Sequence, residues 1–85
     1  MKNSSLNIGD KVYVLSNLNS EGKYTNIRID YIEDIYNENN TNMVSFRYIW
    51  HDTELSDLGV NFFKTEKEAK YAIENNTFKE YLKTN

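Results

Sequence analysis

The chain has 85 residues, a formal net charge of −3 and no cysteine. This length predicts one small domain, with a modest core and little room for an internal substrate pocket. The absence of cysteine excludes disulfides and thiolate metal sites. No apolar run approaches the roughly 20 residues that a membrane helix needs, and residues 1–5 lack a signal peptide's apolar stretch. A soluble cytoplasmic protein is therefore expected.

The first predicted strand covers residues 12–15. It follows a turn at Gly9 and Asp10, residue types that favour turns, and its own residues are β-branched, aromatic or aliphatic. Residues 1–7 are expected to be frayed, and the polar residues 16–24 are expected to form a loop.

A second strand begins near Ile27, where apolar and polar residues alternate. The alternation blurs near Glu33 and Asp34, which predicts a bulge or bend because an extra residue changes the inward face. A helix over residues 30–36 is the alternative, since some apolar residues there also fit a helical spacing. The Asn-rich stretch 37–42 predicts a turn.

The clearest alternation runs through residues 43–51 and predicts a third strand. Its even-numbered side chains, including Trp50, are assigned to the core, and on this basis Trp50→Ala should cost roughly 3–5 kcal/mol. Residues 52–59 are expected to be a polar loop, and residues 60–63 a short last strand. The predicted core contains Val12, Val14, Ile27, Ile29, Val44, Phe46, Tyr48, Trp50, Phe62, Ala69, Ala72 and Ile73.

A helix is predicted from about residue 66 to residue 75. Thr65 and Glu68 have the spacing of a capping box, in which each side chain bonds to the other residue's backbone N–H. The same Thr-x-x-Glu signal recurs at Thr77 and Glu80, so a second short helix or one kinked helix is expected up to residue 83. The whole chain, 1–85, is thus read as one domain with a sheet over 8–63 and a helical part over 65–83.

Gly9-Asp10-Lys11-Val12-Tyr13-Val14 resembles the opening of SH3-like small barrels. The strand and capped helix over 60–73 are similar to the ending of many short phage and mobile-element proteins of low-GC Gram-positive bacteria. The expected fold is α+β: a small, bent, antiparallel sheet of four or five strands, SH3-like, closed by a C-terminal helix. Because some small mobile-element proteins inhibit host defence systems, including CRISPR effectors, the resemblance implies such a role as a hypothesis.

Enzyme chemistry has little support in the sequence. His51 with Asp52, Glu54 and Asp57 is the one place where a metal or acid–base site is conceivable, and a solvated loop is the simpler interpretation. Without cysteine or a Gly-x-Ser-x-Gly elbow, and with three glycines in total, nucleophilic catalysis and phosphate-cradling loops are not indicated. No catalytic residue, metal or cofactor is predicted.

Charge is distributed unevenly along the chain. Residues 29–63 carry seven carboxylates against Arg47 alone, a sum of −6, and the two ends are nearly neutral. This acidic block predicts a surface that engages another protein, for example a basic, nucleic-acid-binding host protein, because complementary charge speeds association. A solvated acidic face is the alternative. The predicted interaction residues are Asp30, Asp34, Tyr36, Glu38, Arg47, Asp52, Glu54 and Asp57.

The predicted function is therefore a non-enzymatic protein-binding module, as a monomer or homodimer. A nucleic-acid-binding small β-barrel is the alternative, since Phe46, Tyr48 and Trp50 could offer stacking surfaces for bases. The acidic block opposes it, because affinity for nucleic acid comes largely from Lys and Arg at phosphates.

Overall fold

The computed structural model describes residues 6–75 of the chain. Within these residues, five strands form one curled antiparallel sheet, a half-barrel with the order β4-β3-β2-β1-β5, and one helix follows. The predicted α+β class, with a bent sheet and a C-terminal helix, is confirmed. The second helical start at Thr77 lies outside the described residues. The elements are β1 (Lys11–Leu18), β2 (Tyr24–Glu38), β3 (Thr41–Phe46), β4 (Thr53–Glu54), a 3₁₀ turn (Leu55–Asp57), β5 (Phe62–Phe63) and α1 (Glu66–Asn75).

β2 is the long strand that divides the sheet. Its first half pairs with β1 up to Tyr31, and its second half pairs with β3 from Ile32 onwards. The register shifts between Ile32 and Asp34, which makes Glu33 an extra residue in the strand. The predicted bulge is thus confirmed, and the helical alternative for this stretch is wrong. The bulge sharpens the bend that curls the sheet.

Asparagines shape both hairpin turns of the first three strands. Asn39 and Asn40 have φ angles of 53° and 66°, as the two central residues of a type I′ turn require. In the first hairpin, the side-chain oxygen of Asn19 accepts hydrogen bonds from the N–H groups of Glu21 and Lys23, at 2.9 and 3.0 Å. β1 reaches Leu18, so this loop is shorter than predicted.

The main core fills the inside of the half-barrel. The rings of Phe46 and Phe62 meet edge to face with centroids 5.4 Å apart. Leu6 is buried in the same cluster, so the prediction that the chain is frayed as far as residue 7 is wrong at Leu6. An apolar side chain gains free energy by leaving water, which is sufficient reason for Leu6 to pack there. The buried members are Leu6, Val12, Ile32, Val44, Phe46 and Phe62.

A second, smaller core lies on the outer face of β1 and β5, under α1. Ala69 and Ala72 of the helix pack there with Leu15 and Phe63. The helix begins as predicted: the Glu68 N–H donates to the Thr65 hydroxyl oxygen at 3.2 Å. The second bond of the capping box differs from the prediction. The Glu68 carboxylate accepts from the Thr65 hydroxyl, at 3.0 Å, and not from the Thr65 N–H. Small alanines let the helix approach the sheet closely.

Three residues assigned to the core are exposed, namely Ile29, Tyr48 and Trp50. Ile29 shares the outer face with Leu15 and Ile27, but it is 49 % exposed whereas Ile27 packs against the second core. The loop predicted over 52–59 contains β4 and the 3₁₀ turn, and the last strand is shortened to Phe62–Phe63.

Phe62→Ala tests the main core. Phe62 is fully buried, so the substitution should lower the free energy of unfolding by about 3–5 kcal/mol. The measurement is urea denaturation followed by circular dichroism. A loss below about 1 kcal/mol would mean that the half-barrel interior does not carry the stability of the domain.

Candidate functional site

The side chain of Asp30 is fully buried within the half-barrel, beside Val12 of the neighbouring strand. Its carboxylate accepts hydrogen bonds from the backbone N–H groups of Tyr31, Tyr48 and Ile49, at 2.6, 3.1 and 2.9 Å. A buried carboxylate needs such donors to offset the loss of water. The prediction that Asp30 belongs to an acidic surface is therefore wrong, and its contacts hold the segment after β3 in place.

That segment, residues 47–52, forms an exposed loop. Trp50 is 98 % exposed and Tyr48 is 53 % exposed, whereas Ile49 packs against the main core. Tyr48 and Trp50 were predicted to lie in the core on the assumption that the strand continued to residue 51. β3 ends at Phe46, and the bonds of Tyr48 and Ile49 to Asp30 turn the chain, so the alternation of faces no longer applies. The outcome is a tryptophan held out in solvent by an anchored backbone.

Arg47 begins the loop and contacts two neighbours. Its Nε lies 3.4 Å from a carboxylate oxygen of Glu33, and its guanidinium lies over the ring of Tyr31, 5.2 Å from the centroid. The hydrogen bond to Glu33 raises the pKa of Arg47 above its ordinary value, and contact with Tyr48 adds a smaller increase. Because Arg47 and Glu33 are both exposed, this pair contributes little stability. It does fix the side chain of Arg47 beside the loop.

A tyrosine–carboxylate pair lies at the other end of the loop. The Tyr36 hydroxyl donates a hydrogen bond to the carboxylate of Asp52. That bond raises the pKa of Tyr36 to about 12, with a smaller effect of burial and of the negative charges of Asp52, Glu38 and Asp34. Cross-strand pairing places Tyr36 next to Met43, and Met43 next to Glu54.

Three other predicted residues, Asp34, Glu38 and Glu54, are exposed. Asp34 and Glu38 share the outer face of β2 with Tyr36, at two-residue spacing. The structure therefore places six of the eight predicted side chains on or beside one outer surface. We call this set the Trp50 surface: Trp50 and Tyr48, with Arg47 and His51 beside them, and the polar side chains Asp34, Tyr36, Glu38, Asp52 and Glu54.

Asp57 does not belong to this surface, because its side chain is buried. Its carboxylate accepts a hydrogen bond from the Thr53 hydroxyl at 2.7 Å, and its carbonyl accepts from the N–H groups of Val60 and Asn61. The prediction of Asp57 as an interaction residue is wrong: it holds the turn between β4 and β5.

The fold does not bring together the residues of the conceivable acid–base site around His51. Asp52 bonds to Tyr36, and Asp57 faces the interior. Within residues 6–75, no group of three or more His, Asp or Glu side chains is placed to hold a metal ion. An open cleft of about 940 Å³ separates the β2–β3 turn from the start of α1, with Leu55, Leu58, Phe63 and Thr65 among its lining residues. It contains neither Trp50 nor His51.

Comparison of the chain with protein-family models, curated proteins and solved structures found no match. The described helix is too short and too polar to cross a membrane. The site is therefore interpreted from its own chemistry.

Asp30→Ala tests the anchoring of the loop. The substitution leaves the N–H groups of Tyr48 and Ile49 without their acceptor, so the free energy of unfolding should fall by about 2–4 kcal/mol. Urea denaturation measures the change. Asp34→Ala removes an exposed carboxylate from the same strand and serves as the control, with an expected loss below about 1 kcal/mol. Equal effects of the two substitutions would contradict the anchoring role.

Asp52→Asn tests the pair with Tyr36. The folded-state pKa of Tyr36 is about 12, above the ordinary value of about 10. The stability that this pair contributes is thus present below about pH 10 and is lost as the pH rises through the folded-state pKa. Asp52→Asn should move the pKa of Tyr36 towards its ordinary value, measured by NMR of ¹³C-labelled tyrosine. Glu54→Gln is the control, and an equal shift in that variant would refute the assignment to Asp52.

Proposed function

We propose that the chain is a non-enzymatic module, acting in the cytoplasm, that binds another protein through the Trp50 surface. The observation that supports this most directly is the 98 % exposure of Trp50 on a loop whose backbone is bonded to a buried carboxylate. Leaving an indole in water forgoes the free energy that burial would give. Tryptophan is also enriched among the residues that dominate protein–protein binding.

The anchored loop reduces the cost of binding. A flexible loop loses conformational freedom when a partner fixes it, and that loss weakens affinity. Here the N–H groups of Tyr48 and Ile49 are already bonded to Asp30, and Ile49 is already packed in the core. Trp50 is thus presented on a backbone that needs little further ordering.

The charges around Trp50 favour a basic partner. Exposed carboxylates of Asp34, Glu38, Asp52 and Glu54 belong to the same surface, whereas Arg47 is paired with Glu33. The more specific proposal is a host nucleic-acid-binding protein, inhibited by a mobile-element accessory protein of SH3-like type. Its support is this charge and the sequence resemblance.

Nucleic-acid binding is the second candidate. The observation that favours it is the exposure of two aromatic side chains, Tyr48 and Trp50, in a loop that starts with Arg47. Stacking of bases on such rings contributes about 1–3 kcal/mol per base. The neighbouring carboxylates repel phosphates, so we rank it below protein binding.

Affinity capture from host extract, followed by titration of the purified partner, tests the proposal. Trp50→Ala should weaken binding by roughly thirtyfold or more, as expected for a residue that dominates an interface. Its free energy of unfolding should stay within about 0.5 kcal/mol of the parent, because the side chain is exposed. Tyr71→Ala is the control: Tyr71 is an exposed aromatic residue on α1, and its removal should leave binding unchanged.

Two results would count against protein binding at this surface. One is equal affinity of the parent and the Trp50→Ala variant for the captured protein. The other is a salt-sensitive quench of tryptophan fluorescence by a single-stranded oligonucleotide, which would favour the second candidate. The chain contains one tryptophan, so this signal reports on Trp50 alone.

A further inference from the structure

Two cations lie on the outer face of the sheet, on either side of Tyr31. Lys11 of β1 is paired with Tyr31 of β2, and the Arg47 N–H donates to the Tyr31 carbonyl at 2.9 Å. Because neighbouring strands are roughly 5 Å apart, the backbones of Lys11 and Arg47 are about 10 Å apart across the sheet. The three residues therefore form one row across three strands.

Each of these cations lies over the face of a tyrosine ring. The Lys11 ammonium is 5.6 Å from the ring centroid of Tyr13, and the Arg47 guanidinium is 5.2 Å from that of Tyr31. The ring of Tyr48 meets the ring of Tyr31 edge to face, with centroids 6.3 Å apart. Contact with a ring orients a cation and leaves its charge in place. Two oriented positive charges are thus presented beside the Trp50 loop.

Glu33, the extra residue of the bulge, is the carboxylate next to Arg47. One of its oxygens lies 3.4 Å from the Nε of Arg47, and the side chains of Glu33 and Arg47 are 58 % and 49 % exposed. Exposed pairs of this kind contribute little free energy. A guanidinium binds a carboxylate most strongly through two parallel hydrogen bonds, and this contact is made through Nε. Glu33 is therefore easily replaced by a carboxylate with better geometry.

We propose that an aspartate or glutamate of the partner protein binds between Arg47 and Lys11, and that Glu33 holds the place of this carboxylate in the free protein. The guanidinium of Arg47 remains on the ring of Tyr31 while it exchanges one carboxylate for the other. This inference rests on the protein-binding function proposed above. It adds that the partner presents an acidic side chain as well as the basic ones that face the carboxylates near Trp50.

The charge pattern along β2 favours a protein over a nucleic acid at these cations. Asp34 and Glu38 lie on the same outer face, beyond the bulge. A partner that covers both parts of β2 must offer negative charge at one end and positive charge at the other. A nucleic acid carries a phosphate at every nucleotide, so its chain would be repelled beyond Glu33. A folded protein can place both kinds of charge in one interface.

Titration calorimetry of the partner captured through the Trp50 surface tests the proposal. Glu33→Gln removes the internal competitor for Arg47 and should tighten binding by about twofold to fivefold. Asp34→Asn is the matched control, because it removes a neighbouring exposed carboxylate that faces a basic partner, and it should weaken binding. Both substitutions remove one negative charge, so an effect of net charge alone would have the same sign in both.

The cations are tested by Arg47→Gln and Lys11→Gln, which should weaken binding by about tenfold and threefold. Lys67→Gln removes the same charge from an exposed position of α1 and should leave the affinity within about twofold of the parent. Arg47→Lys keeps the positive charge but not the planar pair of donors, so it should recover only part of the affinity. The circular dichroism of every variant should match that of the parent.

The proposal is overturned by unchanged or weaker binding in a folded Glu33→Gln variant, or by unchanged affinity in both Arg47→Gln and Lys11→Gln. A loss in these two variants that is confined to a single-stranded oligonucleotide also overturns it, because the cations would then serve phosphates. Trp50→Ala separates this failure from failure of the proposed function. Loss of binding in Trp50→Ala without loss in the cation variants leaves the Trp50 surface as a protein-binding surface that lacks the acidic contact.

Discussion

The shape of this domain depends on one buried anion. The Asp30 carboxylate accepts the N–H groups of Tyr48 and Ile49, which therefore do not bond to β2. As a result β3 ends before Tyr48, Ile49 faces the core and Trp50 remains in solvent. The three donors offset the cost of removing a carboxylate from water. A polar group in the half-barrel thus determines the surface that the protein presents.

The second constraint is the bend of β2. One strand serves two pairings, with β1 and then with β3, and the extra residue Glu33 marks the change. The half-barrel interior lies on one face of this strand, and the carboxylates of Asp34 and Glu38 lie on the other. The residues proposed for binding and the residues of the core therefore lie on opposite sides of the same backbone.

Local signals in the sequence were sufficient for much of the fold. The bulge followed from lost alternation, the β2–β3 turn from consecutive asparagines, and the helix from its capping box. The exposure of Trp50 could not be predicted, because it depends on bonds to a residue 18–19 positions earlier. Asp30 itself gave no signal of burial, because it occupies a polar position in the alternation, as Arg28 does. The burial of Asp57 was missed for a different reason: its hydrogen bond with Thr53 is local, four positions apart, but these two residue types form no recognisable sequence pattern. The exposed carboxylates of Asp34, Glu38, Asp52 and Glu54 belong to the acidic block, and their role in binding stays a prediction.

The two-residue strand β5 joins both halves of the hydrophobic interior. Phe62 points into the half-barrel, and its neighbour Phe63 points under the helix. Movement of this short segment would disturb both clusters at once, so the helix and the half-barrel should open as one cooperative unit and not as independent foldons. Amide protons of α1 and of the half-barrel strands would then exchange with solvent through the same global event. One of the two shortest strands of the sheet would thereby couple the two hydrophobic clusters during unfolding.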